Sequence, residues 1–197
     1  LRYKLYFGAN FSPGVMKGST RKTQTGALDL SYRFKKILLR NKVGVDNSLG
    51  DNSPWGSFSE YTRLNPYLRP YGENGEILKN LQYRIDPDAS FREAAIPNPM
   101  YNTTFNSKDR NTSFTVRNQF YLDYTPVNAV RLQADVGIVK TTGKNERFRP
   151  AQHTAFDGET DPMKKGDFRR EQTETFNYSV NLTASYNDVL GEDHFVS

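Results

Sequence analysis

His153 and His194 are the only two histidines, and cysteine is absent. That leaves no material for a histidine-based triad, a thiol nucleophile or a cysteine-ligated zinc. Each histidine reads as a solvated loop residue. Carboxylates gather at Asp86/Asp88 and at Asp157/Glu159/Asp161. Acidic loops of this kind can hold calcium or supply glycosidase acids, but neither follows EF-hand spacing. Solvated surface loops are therefore the expectation, with no catalytic residue and no cofactor; calcium is possible at such acids but the spacing does not support it. No Gly-rich phosphate loop follows a strand and opens a helix. A formal charge of +5 is spread among 22 acids rather than drawn into one basic stripe, so no nucleic-acid partner is expected.

The residues best suited to binding lie between Asp46 and Ser113. Trp55, Phe58, Tyr61, Tyr67 and Tyr71 can stack on sugar rings, with Arg63, Arg69, Glu60 and Asn65 supplying hydrogen bonds, because binding sites combine apolar platforms with a few placed polar groups. The same aromatics can equally form the small core that a long ordered loop needs for itself. Both readings stand at this point.

The elements that must carry these residues show a period of two. Leu1, Tyr3, Leu5, Phe7, Ala9 and Phe11 alternate with Arg2, Lys4 and Asn10; Leu28 to Phe34 and Ile37 to Val45 alternate likewise, with Lys35-Lys36 as a tight turn between them. Phe114 to Tyr124, Val130 to Ile138 and Phe176 to Tyr186 continue the pattern, with Asn118 as the one polar lapse. No Asp, Glu, Lys or Arg stands on the apolar face of these six strands. Such a face suits lipid, where a charge near the bilayer midplane costs about 2–4 kcal/mol. Tyr3, Tyr32, Phe34, Tyr124, Phe176 and Tyr186 suit interfacial aromatic girdles. On the opposite face Arg40, Arg117 and Arg131 either line a wet path or pair with Asp29, Asp123 and Asp135.

A mean hydropathy of −0.77 does not oppose this reading, because the lumen side of a barrel strand is polar; runs such as Ile37-Leu38-Leu39 are far too short for a membrane-spanning helix. A soluble sandwich shares the strand alternation. Connection lengths favour the barrel. Turns at Lys35-Lys36, Pro126 to Ala129 and Asn187 to Asp193 are short, whereas Ser12 to Gln24, Asn47 to Ser113 and Thr142 to Glu171 are long, as periplasmic turns and extracellular loops alternate in outer-membrane barrels. The expected fold is all-β, a segment of a large antiparallel transmembrane β-barrel. Residues 1–197 would form part of one barrel domain, with long extracellular loops at about 12–24, 47–113 and 142–171. The first strand would run outward. Strand-like patterns at Leu1 and His194 read as ends cut from a larger chain.

Ser53-Pro54-Trp55-Gly56-Ser57-Phe58-Ser59-Glu60-Tyr61, then Arg63-Leu64-Asn65-Pro66-Tyr67-Leu68-Arg69-Pro70-Tyr71 and Glu73-Asn74-Gly75, resemble a stretch of SusC/RagA-type TonB-linked outer-membrane proteins. Asn98-Pro99-Met100-Tyr101-Asn102, Tyr121-Leu122-Asp123-Tyr124-Thr125-Pro126 and Phe148 to Phe156 continue the resemblance in the family's order. It covers nearly the whole chain but only the middle of a family member, with no plug domain, TonB-contacting segment or terminal strand. The resemblance implies a 22-stranded barrel in the outer membrane of a Gram-negative bacterium. It further implies a SusD-like surface lipoprotein as a lid and TonB acting on a plug absent from this chain. The cargo would be a large nutrient, an oligosaccharide or a peptide. A passive porin and a secreted carbohydrate-binding sandwich are the rival expectations.

Overall fold

A computed structural model describes residues 1–84, 90–190 and 194–196. Asp86, Asp88 and the side chain of Glu60 lie outside the described residues. The chain is all-β in its main architecture, built on antiparallel pairing. Six strands, β1 (Arg2–Pro13), β2 (Thr20–Phe34), β3 (Ile37–Asp51), β7 (Lys108–Val127), β8 (Val130–Arg149) and β9 (Asp167–Tyr186), form one sheet in the order β1-β2-β3-β7-β8-β9. Between β3 and β7 the chain inserts a short helix α1 (Phe58–Thr62) and a separate three-stranded sheet of β4 (Arg69–Tyr71), β5 (Ile77–Arg84) and β6 (Phe91–Pro97). Asp188–Leu190 (β10) pairs with His194–Val196 (β11) as a hairpin of its own. The expected turn from Asn187 to Asp193 is thus partly strand.

The register decides which side chains share a face, since directly opposed residues in an antiparallel pair point the same way. Leu5, Leu28 and Val43 align across β1, β2 and β3, Asn118 and Ile138 continue that row on β7 and β8, and Tyr178 ends it on β9. Tyr32, Leu39, Leu122, Ala134 and Leu182 form another such row. Every apolar set read from the sequence therefore lies on one face. Phe34, Tyr124 and Tyr186 sit at its short-turn end and Phe176 at the other. Tyr3 is a correction: it aligns with Leu30, and through Asn41 and Phe120 with Val136 and Val180, well inside the apolar rows.

Nothing in the chain covers that face among the described residues. Leu5 is 78% exposed, Tyr178 76% and Leu182 76%, whereas the buried apolar side chains are Leu81 and Ala94, both in the small inserted sheet. A one-layer sheet has no interior, so the core of this chain sits in the insertion.

Two expectations change. The apolar face has a second polar lapse, Asn41. It lies diagonal to Asn118, and the two amides donate to each other, Asn41 Nδ2 to Asn118 Oδ1 at 3.3 Å and Asn118 Nδ2 to Asn41 Oδ1 at 3.2 Å. The reciprocal pair satisfies one donor and one acceptor of each where a lone amide would be costly. The long connections are also shorter than expected, because β1 runs to Pro13, β2 starts at Thr20, β3 ends at Asp51, β7 starts at Lys108, β8 ends at Arg149 and β9 starts at Asp167. The outer stretches of most of these strands, such as Lys108–Ser113 on β7, are largely polar on both faces, with scattered apolar residues such as Leu49 and Phe168, and carry little alternation to read. Backbone ladders and cross-strand pairs hold them, including Asp51 with Arg110 at 2.6 Å, Lys108 with Glu146 at 2.6 Å and the Thr115–Thr141 hydroxyl contact at 3.0 Å.

The Lys35-Lys36 turn forms as expected, at a local cost: Lys35 has φ 48°, a left-handed conformation that a side chain resists. The turn is docked on its neighbour by Thr125 N donating to Lys36 O at 3.0 Å and by Lys36 Nζ donating to Pro126 O at 2.7 Å. Lys35→Gly should raise stability by about 1 kcal/mol by removing the Cβ clash, seen as a higher denaturant midpoint with an unchanged slope.

Candidate functional site

The inserted segment is organised by one buried amide. Asn98 is fully buried. Its Nδ2 donates to Pro70 O at 2.9 Å and Leu78 O at 2.8 Å, and its Oδ1 accepts from Met100 N at 3.0 Å. Its backbone donates to Lys79 O at 2.9 Å and accepts from Tyr101 N at 3.0 Å. One side chain thus ties β4, β5 and the 3-10 turn Tyr101–Thr104 together. Two residues after Met100 the turn presents Asn102, which donates through Nδ2 to Thr154 Oγ1 at 2.8 Å and accepts through Oδ1 from Thr154 N at 3.1 Å. The Asn98–Asn102 and Phe148–Phe156 stretches, far apart in sequence, meet here.

Between them lies a cleft of about 590 Å³. Its walls include Trp55, Asn102, Arg147, Phe148, Arg149 and His153, so aromatic rings share the cleft with amide, guanidinium and imidazole groups. Asp167 holds the strand ends in place: Arg149 clamps it with Nε at 2.8 Å and Nη2 at 2.6 Å, and Arg147 approaches at 3.3 Å. The Arg149 guanidinium holds the Asp167 carboxyl below its ordinary value. Arg149 also lies over the Phe156 ring at 5.4 Å. Burial, followed by the nearby Arg149 charge, pushes His153 below the usual imidazole value, consistent with Nδ1 accepting from Ala155 N at 3.0 Å.

The seven loop residues expected to bind do not converge. Trp55 lines the cleft, packs edge-on to Tyr61 with centroids 6.3 Å apart, and has Lys17 Nζ over its ring at 5.4 Å. Phe58 and Tyr61 stand on α1, both exposed. Arg63 is exposed, and Tyr67 is 88% exposed. Arg69 stacks on Phe91 at 4.0 Å, a contact internal to the small sheet, and Tyr71 ends β4. Of the seven, Trp55 alone borders the cleft. Arg147, Arg149, Asn102 and Asp167 were missed as site residues; the signal available was that both stretches flanking the cleft had already stood out in sequence.

On the polar face of the large sheet the three arginines have separate fates. Arg131 makes a bidentate pair with Asp123, at 3.0 and 2.6 Å. Arg117 pairs with Asp46, and Asp135 is taken by Gln119 at 3.0 Å, so the partner expected from sequence changes because register, not sequence distance, sets neighbours. Arg40 lies over the Tyr121 ring at 5.8 Å. The acids of the last loop serve local structure: Asp157 pairs with Lys79 at 2.6 Å, and Asp161 caps a turn by accepting from Met163 N at 3.0 Å.

Asn98→Ala should cost the insertion about 3 kcal/mol, since it strands two carbonyls and an amide in a dry site. Hydrogen exchange should then accelerate at Lys79 and Met100 while β7 and β8 stay protected. Asp167 gives a pH signature. A carboxyl held low in the fold contributes fully above its unfolded value, about pH 4, and that contribution fades as pH falls through the lowered value. Protection factors in residues 150–166, which take out the intrinsic pH dependence of exchange, should therefore be flat from neutral pH to about pH 4 and fall below it, and Asp167→Asn should abolish the fall. No protein-family model matches this chain, and no curated protein is significantly similar to it.

Proposed function

We propose that this chain is part of an outer-membrane β-barrel of the SusC/RagA-type TonB-linked class that its sequence resembles. Its parent would import a large nutrient, an oligosaccharide or a peptide, without altering it chemically. The observation that carries this reading is the single uncovered apolar face shared by six consecutive antiparallel strands. Water is a poor solvent for such a face, at roughly 25 cal/mol for each Å² of apolar surface, and hydrocarbon is a good one. On β7 the apolar stretch runs from Phe114 to Tyr124, a length that suits the about 9–11 residues a tilted strand needs to cross.

Two further features support the reading. Among the described residues no strand pairs with the outer edge of β1 or of β9, the two ends of the sheet. Open edges of this length are tolerated neither in lipid nor in water, and further barrel strands on both sides would close them. The connections are short at Lys35-Lys36 and between β7 and β8, and long at the other end, where the insertion and the Trp55 cleft lie. In this reading the cleft faces outward, beneath a SusD-like surface lipoprotein, and the arginine-bearing face lines the lumen. TonB would act through a plug carried elsewhere in the parent.

The test is to extract the full-length protein from outer membranes in detergent and ask whether a surface lipoprotein co-purifies. Detergent-dependent extraction with the lipoprotein bound is expected; a protein soluble without detergent and free of partners would overturn the reading in favour of a carbohydrate-binding sandwich. In reconstituted membranes Val180→Arg, on the apolar face, should cost about 2–4 kcal/mol, whereas Asn181→Arg, on the polar face, should cost far less. Equal costs from unfolding titrations would count against lipid on the Val180 side.

A further inference from the structure

Along the apolar face the chemistry changes abruptly toward the long-loop end. Across β2, β3, β7 and β8 the register aligns Lys22, Leu49, Thr112 and Lys144 in one row, two rows beyond the one that holds Phe7, Val45, Val116 and Phe176; the row between them carries Gln24, Asn47, Phe114 and Thr142. Lys22 and Lys144 stand three strand spacings apart, about 14 Å, on the same face as the apolar side chains. The next row outward is already neutralised, Asp51 by Arg110 at 2.6 Å and Glu146 by Lys108 at 2.6 Å and Arg170 at 3.5 Å. Lys140 stands within the row of Val116 and Phe176 itself and shares its charge with Glu174 at 4.0 Å. Among the described residues no ion pair engages Lys22 or Lys144; Lys22 Nζ instead lies 5.7 Å from the centroid of the Phe11 ring.

The opposite border of the same face differs. Its rows hold Phe34, Ile37, Tyr124, Leu132 and Ala184, with no charge among them. At that border Lys35 Nζ, in the tight turn, lies 5.4 Å from the centroid of the Phe34 ring, so what sets the long-loop border apart is that its two lysines stand on the strands themselves. Leu49 and Thr112 lie between the two lysines in their own row; two rows inward the ground is low at Gly26, which has no neighbouring atom where a Cβ would project, and Val45 and Val116 continue that row before Lys140, with the rings of Phe7 on β1 and Phe176 on β9 at its ends.

We propose that Lys22 and Lys144 are a docking row for the phosphate head groups of membrane lipids in the leaflet on the long-loop side, with an acyl chain lying over Gly26, Val45 and Val116. This rests on the membrane reading above and adds to it a preference for one lipid chemistry at one place. Two unpaired cations at the edge of an apolar face match a molecule whose anionic group is joined to hydrocarbon. A lipid with no net charge would supply no net compensation for the two ammonium groups. Each lysine near a membrane surface favours anionic lipid by about fivefold.

The full-length protein would be reconstituted with photoactivatable phosphatidylglycerol or photoactivatable phosphatidylcholine, and the cross-links mapped by mass spectrometry. Phosphatidylglycerol should label residues 20–26 and 112–116 in an excess that falls about fivefold in Lys22→Gln and again in Lys22→Gln/Lys144→Gln. Labelling around Val180 and Leu182 should be the same for both lipids and unchanged by the substitutions. Equal labelling of the row by both lipids, or an excess that survives the double substitution, would overturn the docking row while leaving the membrane reading intact. Absence of any lipid label at Val180 and Leu182 would overturn both.

Discussion

Strand register is the constraint on which everything else in this molecule depends. Because side chains alternate faces with a period of two, a slip of one residue in any pairing would carry a whole strand's apolar set to the polar side. It would also break the row that joins Leu5 on β1 to Tyr178 on β9. The register is held at the short-turn end by tight reversals such as Lys35-Lys36, docked on Pro126 and Thr125. Farther along, it is held by directly opposed charge pairs such as Asp51 with Arg110. Between these anchors the apolar rows follow.

A sheet of this kind inverts the usual relation between hydrophobicity and stability. In a globular domain apolar residues find one another; here they line an open face, and the buried apolar side chains are found in the insertion at Leu81 and Ala94. What keeps the described fold coherent within itself is polar: ladder hydrogen bonds, cross-strand ion pairs, and the Asn41–Asn118 amide pair within the apolar rows. The apolar face contributes once something apolar covers it, and the cover must come from outside these strands.

The insertion follows a different rule. Its elements are short, β4 having 3 residues and α1 having 5, and neither would persist alone. Asn98 compensates by satisfying backbone groups from two strands and a turn at once. The clamp of Arg149 on Asp167 does the same for the ends of β8 and β9. The cleft with Trp55 on its wall exists because these two polar ties bring the insertion and the last long connection together through Asn102 and Thr154.

The sequence by itself determined the strands, their alternation and the single apolar face, because a period of two is a local property that each strand writes in its own residues. The outer parts of most strands were hidden, since segments such as Lys108 to Ser113 are polar on both sides and are held by partners rather than by pattern. Asn41 shares its parity with Leu39 and Val43 and was open to reading; what the sequence could not supply was its amide partner, Asn118. The aromatic run from Trp55 to Tyr71 was legible as chemistry but not as a site, because whether rings converge depends on how α1 and β4 are oriented. Only the tertiary structure decided that Trp55 lines one cleft with Arg147, Arg149 and Asn102, that Arg117 pairs with Asp46, and that Lys22 and Lys144 share a row. Each of these neighbours is far away along the chain, and hydrogen-bond register and polar ties, not spacing, set their distance.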